Sequence, residues 1–353
     1  MICIYLTSEV GLSGLHTVCI GLAERLREDG NKVGYMKPLG NRYHEEEGKI
    51  TDEDAAFMRR TLGLEENMED ICPVLLSPHL VMDSLKDGEE DLQAKIRDAY
   101  GRVSKGKDVV IVQGAYTSLQ GRFMDLSAYQ LAPIFDARVI LVERFNDAFL
   151  ADNVLAARDD FGSMLTGVIY NIIPANRESF VHDILAPRLE KEGIPVLGAL
   201  PCDRMLNSIN VGDLARLING RVMSGEDHLD NLVEDIVVGA MGPEHALSVF
   251  RKHHNICVVT GGDRSDMQLA AMEAKARCIV LTGNLCPSSI ILGKAEEMGI
   301  PIILVETDTF TTAENAEVVI RSARTHEPKK IERLRELISS NIDLPRLYEL
   351  CGI

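Results

Sequence analysis

A strand-like segment and a helix-like segment flank a glycine-containing turn near the start of the chain. Residues 2–6 are apolar and predict a buried strand, and residues 18–23 are typical of an apolar-periodic helix. The turn between them contains small and hydroxyl residues at Ser8, Gly11, Ser13 and Gly14. A turn in this position directs backbone N–H groups and a helix N-terminus at phosphate oxygens. The sequence therefore predicts a phosphate- or nucleotide-binding loop.

This loop lacks the cation that usually completes such a site. The usual pattern ends Gly-Lys-Ser/Thr, whereas here Gly14 is followed by Leu15 and His16, with Thr17 next. His16 either donates to an anion, with a charge that depends on pH, or caps and packs at the helix start. Gly11 and Gly14 form either an anion-binding nest or a tight turn without a ligand. The sequence leaves these alternatives open.

Polar residues also follow other predicted strands of the first half. Lys37 is a candidate ligand for phosphate or carboxylate, or a surface lysine before a proline-fixed turn. Asp52 and Asp54 are candidate Mg²⁺ ligands, or carboxylates favoured by the dipole at a helix start. Gln113 ends a predicted strand beside the loop. Asn171 either reads a nucleobase edge or satisfies the backbone at a strand end.

Composition narrows the class of protein. The 353 residues carry a formal net charge of −17, which disfavours nucleic acid and anionic membrane as partners. The eight cysteines show no metal-binding spacing, no apolar segment is long enough for a membrane span, and the chain begins directly with a strand. We therefore expect a cytoplasmic protein with free thiols.

Val- and Ile-rich segments alternate with helical patterns, which predicts an α/β fold with parallel sheets covered on both faces. Predicted strands cover residues 1–6, 32–36, 108–112, 138–142, 165–170, 195–200, 255–259, 276–281 and 301–305. Predicted helices cover residues 17–29, 147–159, 266–274, 288–298 and 313–323. We expect a first domain at 1–218, a polar linker at 219–230, a smaller α/β domain at 231–328, and a helical tail at 329–353 with a break near Asn341.

Three turns at predicted strand ends in the second domain form a further candidate site. The residues of these turns are Gly261, Gly262, Asp263, Arg264, Ser265, Asp266, Thr282, Gly283 and Asp308. Arg264 either forks onto a phosphate or carboxylate or pairs with a neighbouring aspartate, and Ser265 or Asp266 is a plausible helix N-cap. A ligand cleft and a subunit interface are equally good interpretations.

Seven segments, taken in order, resemble known families. They are residues 35–40 with Lys-Pro, 52–55, 77–79 with Ser-Pro-His, 108–112, 167–171, 237–241 and 261–266 with Asp-Arg. The first domain resembles the P-loop domain of dethiobiotin synthetases, a family that includes cobyrinic acid a,c-diamide synthases and the N-terminal region of long phosphate acetyltransferases. The second resembles the DRTGG domain that follows it in those acetyltransferases. No segment resembles an acetyltransferase catalytic domain.

The resemblance implies fold and descent more strongly than activity. Active members carry Lys and Thr where this chain has Leu15 and His16, and an acidic magnesium ligand where it has Gln113. We therefore expect no efficient ligase or ATPase chemistry. A charge-assisted hydrogen bond contributes about 1.5–3 kcal/mol, and Mg²⁺ requires near-octahedral oxygen ligation.

The leading hypothesis is a regulatory, ligand-sensing protein that binds a metabolite or a nucleotide, the latter with Mg²⁺ only weakly. By resemblance it forms a homo-oligomer or binds an enzyme of acetyl-CoA or acetyl-phosphate metabolism. One alternative is an ATP-dependent ligase of the dethiobiotin or cobyrinate class, which the retained Lys37, Asp54 and residues 77–79 favour. A second alternative is an inert oligomeric scaffold.

Overall fold

The structure is a computed structural model that describes residues 1–46, 49–86, 91–147, 151–206, 208–321 and 328–353. The chain forms two compact units: Met1–Cys202 together with His326–Ile353, and Asp203–Thr325. No helix in the described ranges is both long enough and apolar enough to cross a membrane.

The first unit begins with ten strands and nine helices among its described residues. The strands are β1 (Ile2–Thr7), β2 (Val33–Met36), β3 (Leu39–Gly40), β4 (Tyr43–Glu46), β5 (Lys49–Asp52), β6 (Val74–Leu75), β7 (Val109–Gln113), β8 (Arg138–Arg144), β9 (Leu165–Ile173) and β10 (Val196–Pro201). The helices are α1 (Leu15–Glu28), α2 (Glu53–Leu62), α3 (Met68–Ile71), α4 (Pro78–Ser84), α5 (Leu92–Val103), α6 (Ala128–Leu131), α7 (Asp152–Phe161), α8 (Glu178–Phe180) and α9 (Ala186–Lys191).

Six of these strands form one parallel sheet in the order β10-β9-β8-β1-β7-β2. Its central strands are buried along most of their length and are polar mainly at their ends, as expected for a sheet with both faces covered. On one face, Tyr5 and Val112 pack in a core with residues of α5 such as Ile96 and Tyr100. The predicted α/β class and the predicted parallel sheet are confirmed.

The second unit repeats the architecture on a smaller scale. Its described elements are β11 (Ile209–Asn210), α10 (Val211–Leu217), β12 (Arg221–Ser224), β13 (Leu232–Val233), β14 (Asp235–Val238), α11 (Pro243–Phe250), β15 (Ile256–Gly261), α12 (Ser265–Glu273), β16 (Cys278–Thr282), α13 (Ser289–Glu297), β17 (Ile302–Leu304) and α14 (Thr309–Arg321). The sheet order is β12-β17-β16-β15-β14, with β14 to β17 parallel and β12 antiparallel at one edge. Alternate strand residues pack in two cores on opposite faces.

The described chain ends with helices α15 (Pro328–Asn341) and α16 (Leu344–Cys351), which belong to the first unit. Helix α15 packs on α1, where a Cβ at Gly21 would lie 2.5 Å from Ile338 Cγ1. The chain then bridges the edge strand β10, since Gly198 pairs with Ile342. The predicted break near Asn341 is confirmed.

Two sequence predictions about organisation are corrected. The predicted linker at 219–230 contains β12, because Arg221–Ser224 pairs with β17 in the second sheet. The tail at 329–353 is not a separate segment, because it packs within the first unit. The predicted helices 147–159 and 313–323 correspond to α7 and α14, and their residues 148–150 and 322–323 lie outside the described residues.

Candidate functional site

The predicted phosphate loop lies at the carboxyl edge of the first sheet. It connects β1, the strand between β7 and β8, to the N-terminus of α1. Gln113 ends β7 on one side, and Glu143 and Asn171 lie near the ends of β8 and β9 on the other. Ligands of open parallel sheets bind at such an edge.

The side chains of Asn171 and Tyr116 lie very near two glycines of the loop. Gly14 is the N-cap of α1 with φ of 76°, and a Cβ there would lie 2.3 Å from Asn171 Nδ2. Asn171 Nδ2 donates to the carbonyl of Ser13 at 2.8 Å, so Asn171 satisfies the backbone. A Cβ at Gly11 would lie 2.1 Å from the ring of Tyr116. Gly14 is therefore required by close approach to a buried side chain and by its left-handed conformation, whereas the atoms near Gly11 are the far end of the exposed Tyr116 side chain, which can move away.

The loop also presents donors without acceptors. The backbone N–H groups of Gly11, Leu12, Ser13 and Gly14 have no acceptor in the part of the chain that the structure describes. The fully buried Thr7 Oγ1 has no partner there either. Ser8 Oγ instead donates to the carbonyl of Val10 at 2.8 Å. Consecutive free N–H groups before a helix favour an anion.

Lys37 lies in a buried ion-pair cluster beside the loop. Its Nζ donates to both oxygens of Asp52, at 2.8 and 2.9 Å, and to Asp54 Oδ2 at 2.8 Å. All three side chains are at most 2% exposed. Asp52 is also the N-cap of α2 and accepts the N–H groups of Asn41, Arg42 and Ala55. The amine therefore lies where the sequence predicted a metal cation.

His16 joins this cluster through Gln113. Gln113 Oε1 accepts from Tyr35 OH at 2.8 Å and lies 3.1 Å from His16 Nδ1, while Gln113 Nε2 donates to Asp54 at 3.3 Å. An amide oxygen only accepts, so His16 Nδ1 carries its proton. Burial raises the pKa of Tyr35 well above its ordinary value and keeps it a neutral donor. His16 is buried at the start of α1, where its ring contacts Phe57 edge-on, and donation by His16 to an anion stays a prediction.

Two carboxyl groups at the beginning of the loop were missed by the sequence analysis. Glu143, which is 3% exposed, accepts Glu9 N–H at 2.7 Å, and its Oε1 lies 3.3 Å from Ser8 Oγ. Glu9 accepts from Ser118 Oγ and Tyr129 OH at 2.7 and 2.8 Å. Burial raises the pKa of Glu143 to about 7, and burial also raises the pKa of Glu9. The signal was an acidic residue at the end of a predicted apolar strand.

These residues do not fit Mg·ATP held as the resemblance implies. Asp54 lies against the Lys37 amine, Gln113 replaces the acidic ligand, and the buried Leu15 replaces the loop lysine. Across the described ranges no cluster of three or more His, Cys, Asp or Glu residues is arranged to hold a metal ion. Thr17 is half-buried in the first turn of α1. A nucleotide at this loop stays a prediction.

In the second unit, Arg264 is paired within its own turn. Its guanidinium donates to both oxygens of Asp266 at 2.9 Å and to the Met241 carbonyl at 3.1 Å. This contact lowers the pKa of Asp266 below its ordinary value. Arg264 is itself the N-cap residue of α12, so the prediction of Ser265 or Asp266 as the cap is wrong.

The predicted turns of the second unit do lie side by side. A Cβ at Gly262 would lie 1.7 Å from the Leu285 carbonyl oxygen, so the turns after β15 and β16 are in contact. Thr282 Oγ1 lies 2.8 Å from Thr309 Oγ1, which joins the turns after β16 and β17. Asp308 accepts the N–H groups of Phe310 and Thr311 at the start of α14. Gly261 and Asp263 belong to the same edge.

The fold and the loop define a P-loop-type α/β protein with a second, smaller α/β unit. A family model described as an AAA domain matches residues 4–210, and one described as a DRTGG domain matches residues 213–319. Because the first match covers more than half of the chain, the protein belongs to this AAA domain family.

Its relatives confirm the resemblance to long phosphate acetyltransferases. The chain is 28% identical over 365 residues to the phosphate acetyltransferase of Pseudomonas aeruginosa, which covers 96% of this chain and 50% of that protein. It is 26% identical over 358 residues to the enzyme of Nitrosomonas europaea, with the same coverage. The chain thus spans about half the length of these relatives and matches their N-terminal region.

Solved structures give more distant similarities. The regulatory region of Clostridium perfringens pyrophosphatase, with CBS and DRTGG domains and bound diadenosine tetraphosphate, aligns with a TM-score of 0.28 and 20% identity over 37% of this chain and 67% of that chain. The septum site-determining protein MinD of Pyrococcus horikoshii with Mg-ADP aligns with a TM-score of 0.37 and 18% identity over 58% of this chain and 83% of that chain. Similarities at this level support no inference about function.

Proposed function

We propose that the protein is a non-catalytic regulatory protein that senses a phosphate-bearing metabolite or nucleotide at the loop between β1 and α1. The observation that supports this most directly is the buried cluster of Lys37, Asp52 and Asp54. Phosphoryl transfer requires a metal and a cation at the phosphates. Here the one amine is engaged by two carboxylates instead of by a phosphate, while the N–H groups of the loop stay available to an anion.

The relation to the N-terminal half of phosphate acetyltransferases supports a regulatory role rather than a catalytic one. As part of the same proposal, the protein forms a homo-oligomer or binds an enzyme that produces or consumes acetyl-CoA or acetyl phosphate. The strand-end turns of the second unit, with Arg264 and Asp308, are the proposed second ligand cleft or subunit contact. The inert scaffold is the alternative that lacks any ligand.

Ligand-dependent thermal unfolding tests the proposal. We expect stabilisation by at least one of ATP, ADP, GTP, AMP, NADH, acetyl-CoA or acetyl phosphate without a requirement for Mg²⁺. A ligand at 100 times its Kd adds about 2.7 kcal/mol of stability. Gly14→Ala is expected to remove the effect, because its Cβ meets Asn171 Nδ2. Gly30→Ala is the matched control, since Gly30 also has a positive φ but open space around its Cβ position.

No stabilisation by any of these ligands would contradict the proposal and favour the scaffold. Stabilisation that survives Gly14→Ala would place the ligand elsewhere in the protein. ATP turnover that depends on Mg²⁺ and exceeds about 1 per second, an ordinary enzymatic rate, would instead support the ligase alternative.

A double substitution tests whether changing two residues of the loop is enough to restore Mg·ATP binding and ligase activity. Leu15→Lys with His16→Thr restores the usual loop side chains, but Gln113 and the Lys37 cluster remain. We expect partial recovery of Mg·ATP affinity at best and no turnover, measured by calorimetry and phosphate release. Leu15→Met with His16→Gln is the control that changes the same positions without adding the cation. Tight Mg·ATP binding in the Lys/Thr variant would show that the rest of the pocket is intact.

A further inference from the structure

The loop combines groups that attract an anion with groups that repel one. Its unpartnered N–H groups at Gly11 to Gly14 and the N-terminus of the 14-residue helix α1 favour a negative charge. Thr7 Oγ1, fully buried just before the loop, has no partner among the described residues. The start of the loop, however, also carries two carboxyl groups: Glu143 accepts the Glu9 backbone N–H, and the Glu9 carboxylate accepts from Ser118 and Tyr129.

Few cations offset these carboxyl groups. Groups that face Glu143 and Glu9 come from the loop, β9, α7, α6 and the segment before α6. They are Ser8, Tyr170, Asn153, Asp160, Ser118 and Tyr129. None of these six is a cation, and the nearby Arg144 of β8 donates through Nη1 to the Leu12 carbonyl at 3.2 Å. With Glu9, Glu143 and Asp160 ionised, this end of the loop carries a net negative charge.

We propose that a phosphate-bearing ligand binds at this loop together with a proton taken up by Glu143, so that the loop is a proton-linked anion site. Protonation removes one of the two negative charges at the start of the loop. It also leaves a carboxyl oxygen to accept the Glu9 N–H, so the loop keeps its conformation. This inference rests on the proposed function, since it concerns the ligand of the same loop.

Glu143 titrates near neutral pH, where the dependence of anion affinity on its protonation can be measured. Burial raises its pKa to about 7, and the neighbouring Glu9 carboxylate raises it too. A bound anion stabilises the protonated form further, so affinity increases as pH falls from 8.5 to 5.5. Two unit charges a few ångströms apart near a protein surface interact strongly enough for a change of about 10-fold or more.

Sulfate is the suitable probe, because its charge does not change across this pH range. We would measure sulfate binding by calorimetry at pH 5.5, 7.0 and 8.5, with chloride at equal ionic strength as the blank. Metal-free ATP is the second probe, and comparison of variants cancels its own titration. The wild-type affinity is expected to fall about 10-fold between pH 5.5 and 8.5.

Three variants make the test specific. Glu143→Gln keeps an oxygen for Glu9 N–H and is expected to bind sulfate equally well at all three pH values, and more tightly than wild type at pH 8.5. Glu9→Gln is expected to move the transition to lower pH, since the Glu9 charge raises the pKa of Glu143. Glu65→Gln removes an exposed carboxylate of the same unit and is expected to behave as wild type.

The outcomes separate this inference from the proposed function. Binding whose pH dependence is the same in wild type and Glu143→Gln would overturn the proton linkage and leave the sensing function in place. Ligand stabilisation at another position, with no sulfate or ATP at the loop at any pH, would overturn the linkage as well. No ligand binding of any kind would overturn both.

Discussion

Deletion of residues 328–353 is expected to unfold the first unit. Helices α15 and α16 and the turn between them bury six Leu and Ile side chains to 8% exposure or less: Leu334, Leu337, Ile338, Ile342, Leu344 and Leu347. Full burial of such a side chain contributes roughly 1.5–3 kcal/mol, so the total is roughly 10 kcal/mol or more. That is comparable with the whole stability of a domain. Loss of cooperative unfolding by circular dichroism and rapid proteolysis within residues 1–202 would be the expected result.

The deletion removes polar contacts as well as apolar area. Asp343 N–H donates to the Leu197 carbonyl at 2.8 Å, and Arg346 forms two hydrogen bonds with Glu190 at 2.6 and 2.8 Å. A point variant separates tail packing from chain length: Ile338→Ala is expected to cost about 2–5 kcal/mol. Ile290→Ala, at an 80% exposed site, is the control and should change stability by less than about 0.5 kcal/mol. A truncated protein with an unchanged unfolding midpoint would contradict the assignment.

The sequence predicted the helices of this tail and their break, but it did not predict the unit to which they belong. Periodicity reports which face of a helix is apolar, and it carries no information about the surface that covers that face. Gly21 is an example of a contact that the sequence does not reveal. It stands in α1 without a local role, and only the structure shows that α15 passes within van der Waals contact of it. The prediction of a linker at 219–230 was wrong for a related reason. Strand β12 has only four residues and polar neighbours, and its sequence does not show which strand it pairs with.

The sequence indicated which residues lie together at the candidate site, but it did not indicate which of them contact one another. Strand ends placed His16, Lys37, Asp54 and Gln113 at one sheet edge, and parallel topology brings such ends together. Which of them pair with one another depends on side-chain length and burial, and Lys37 reaches both aspartates. Glu143 escaped notice because nothing in its sequence context shows that the loop turns back onto it.

Replacement of Lys37 by Met is expected to destabilise the first unit by about 3–5 kcal/mol. The substitution keeps the apolar stem and removes the amine, which leaves Asp52 and Asp54 buried without their cation. Asp52 retains three backbone N–H donors, whereas Asp54 retains the 3.3 Å hydrogen bond from Gln113. Urea unfolding monitored by circular dichroism measures the loss.

Two further variants show whether the loss of stability in Lys37→Met reflects the buried ion pairs of Lys37. Lys105→Met removes an exposed lysine of the same unit and should stay within about 0.5 kcal/mol of wild type. Lys37→Met with Asp54→Asn should recover part of the stability, because a neutral amide replaces one of the two buried carboxylates that lost the amine. If Lys37→Met instead costs less than about 1 kcal/mol and abolishes ligand stabilisation, the amine binds ligand rather than holding the two aspartates. The ligase alternative would then regain its cation, and the sensing proposal would lose the observation that supports it most directly.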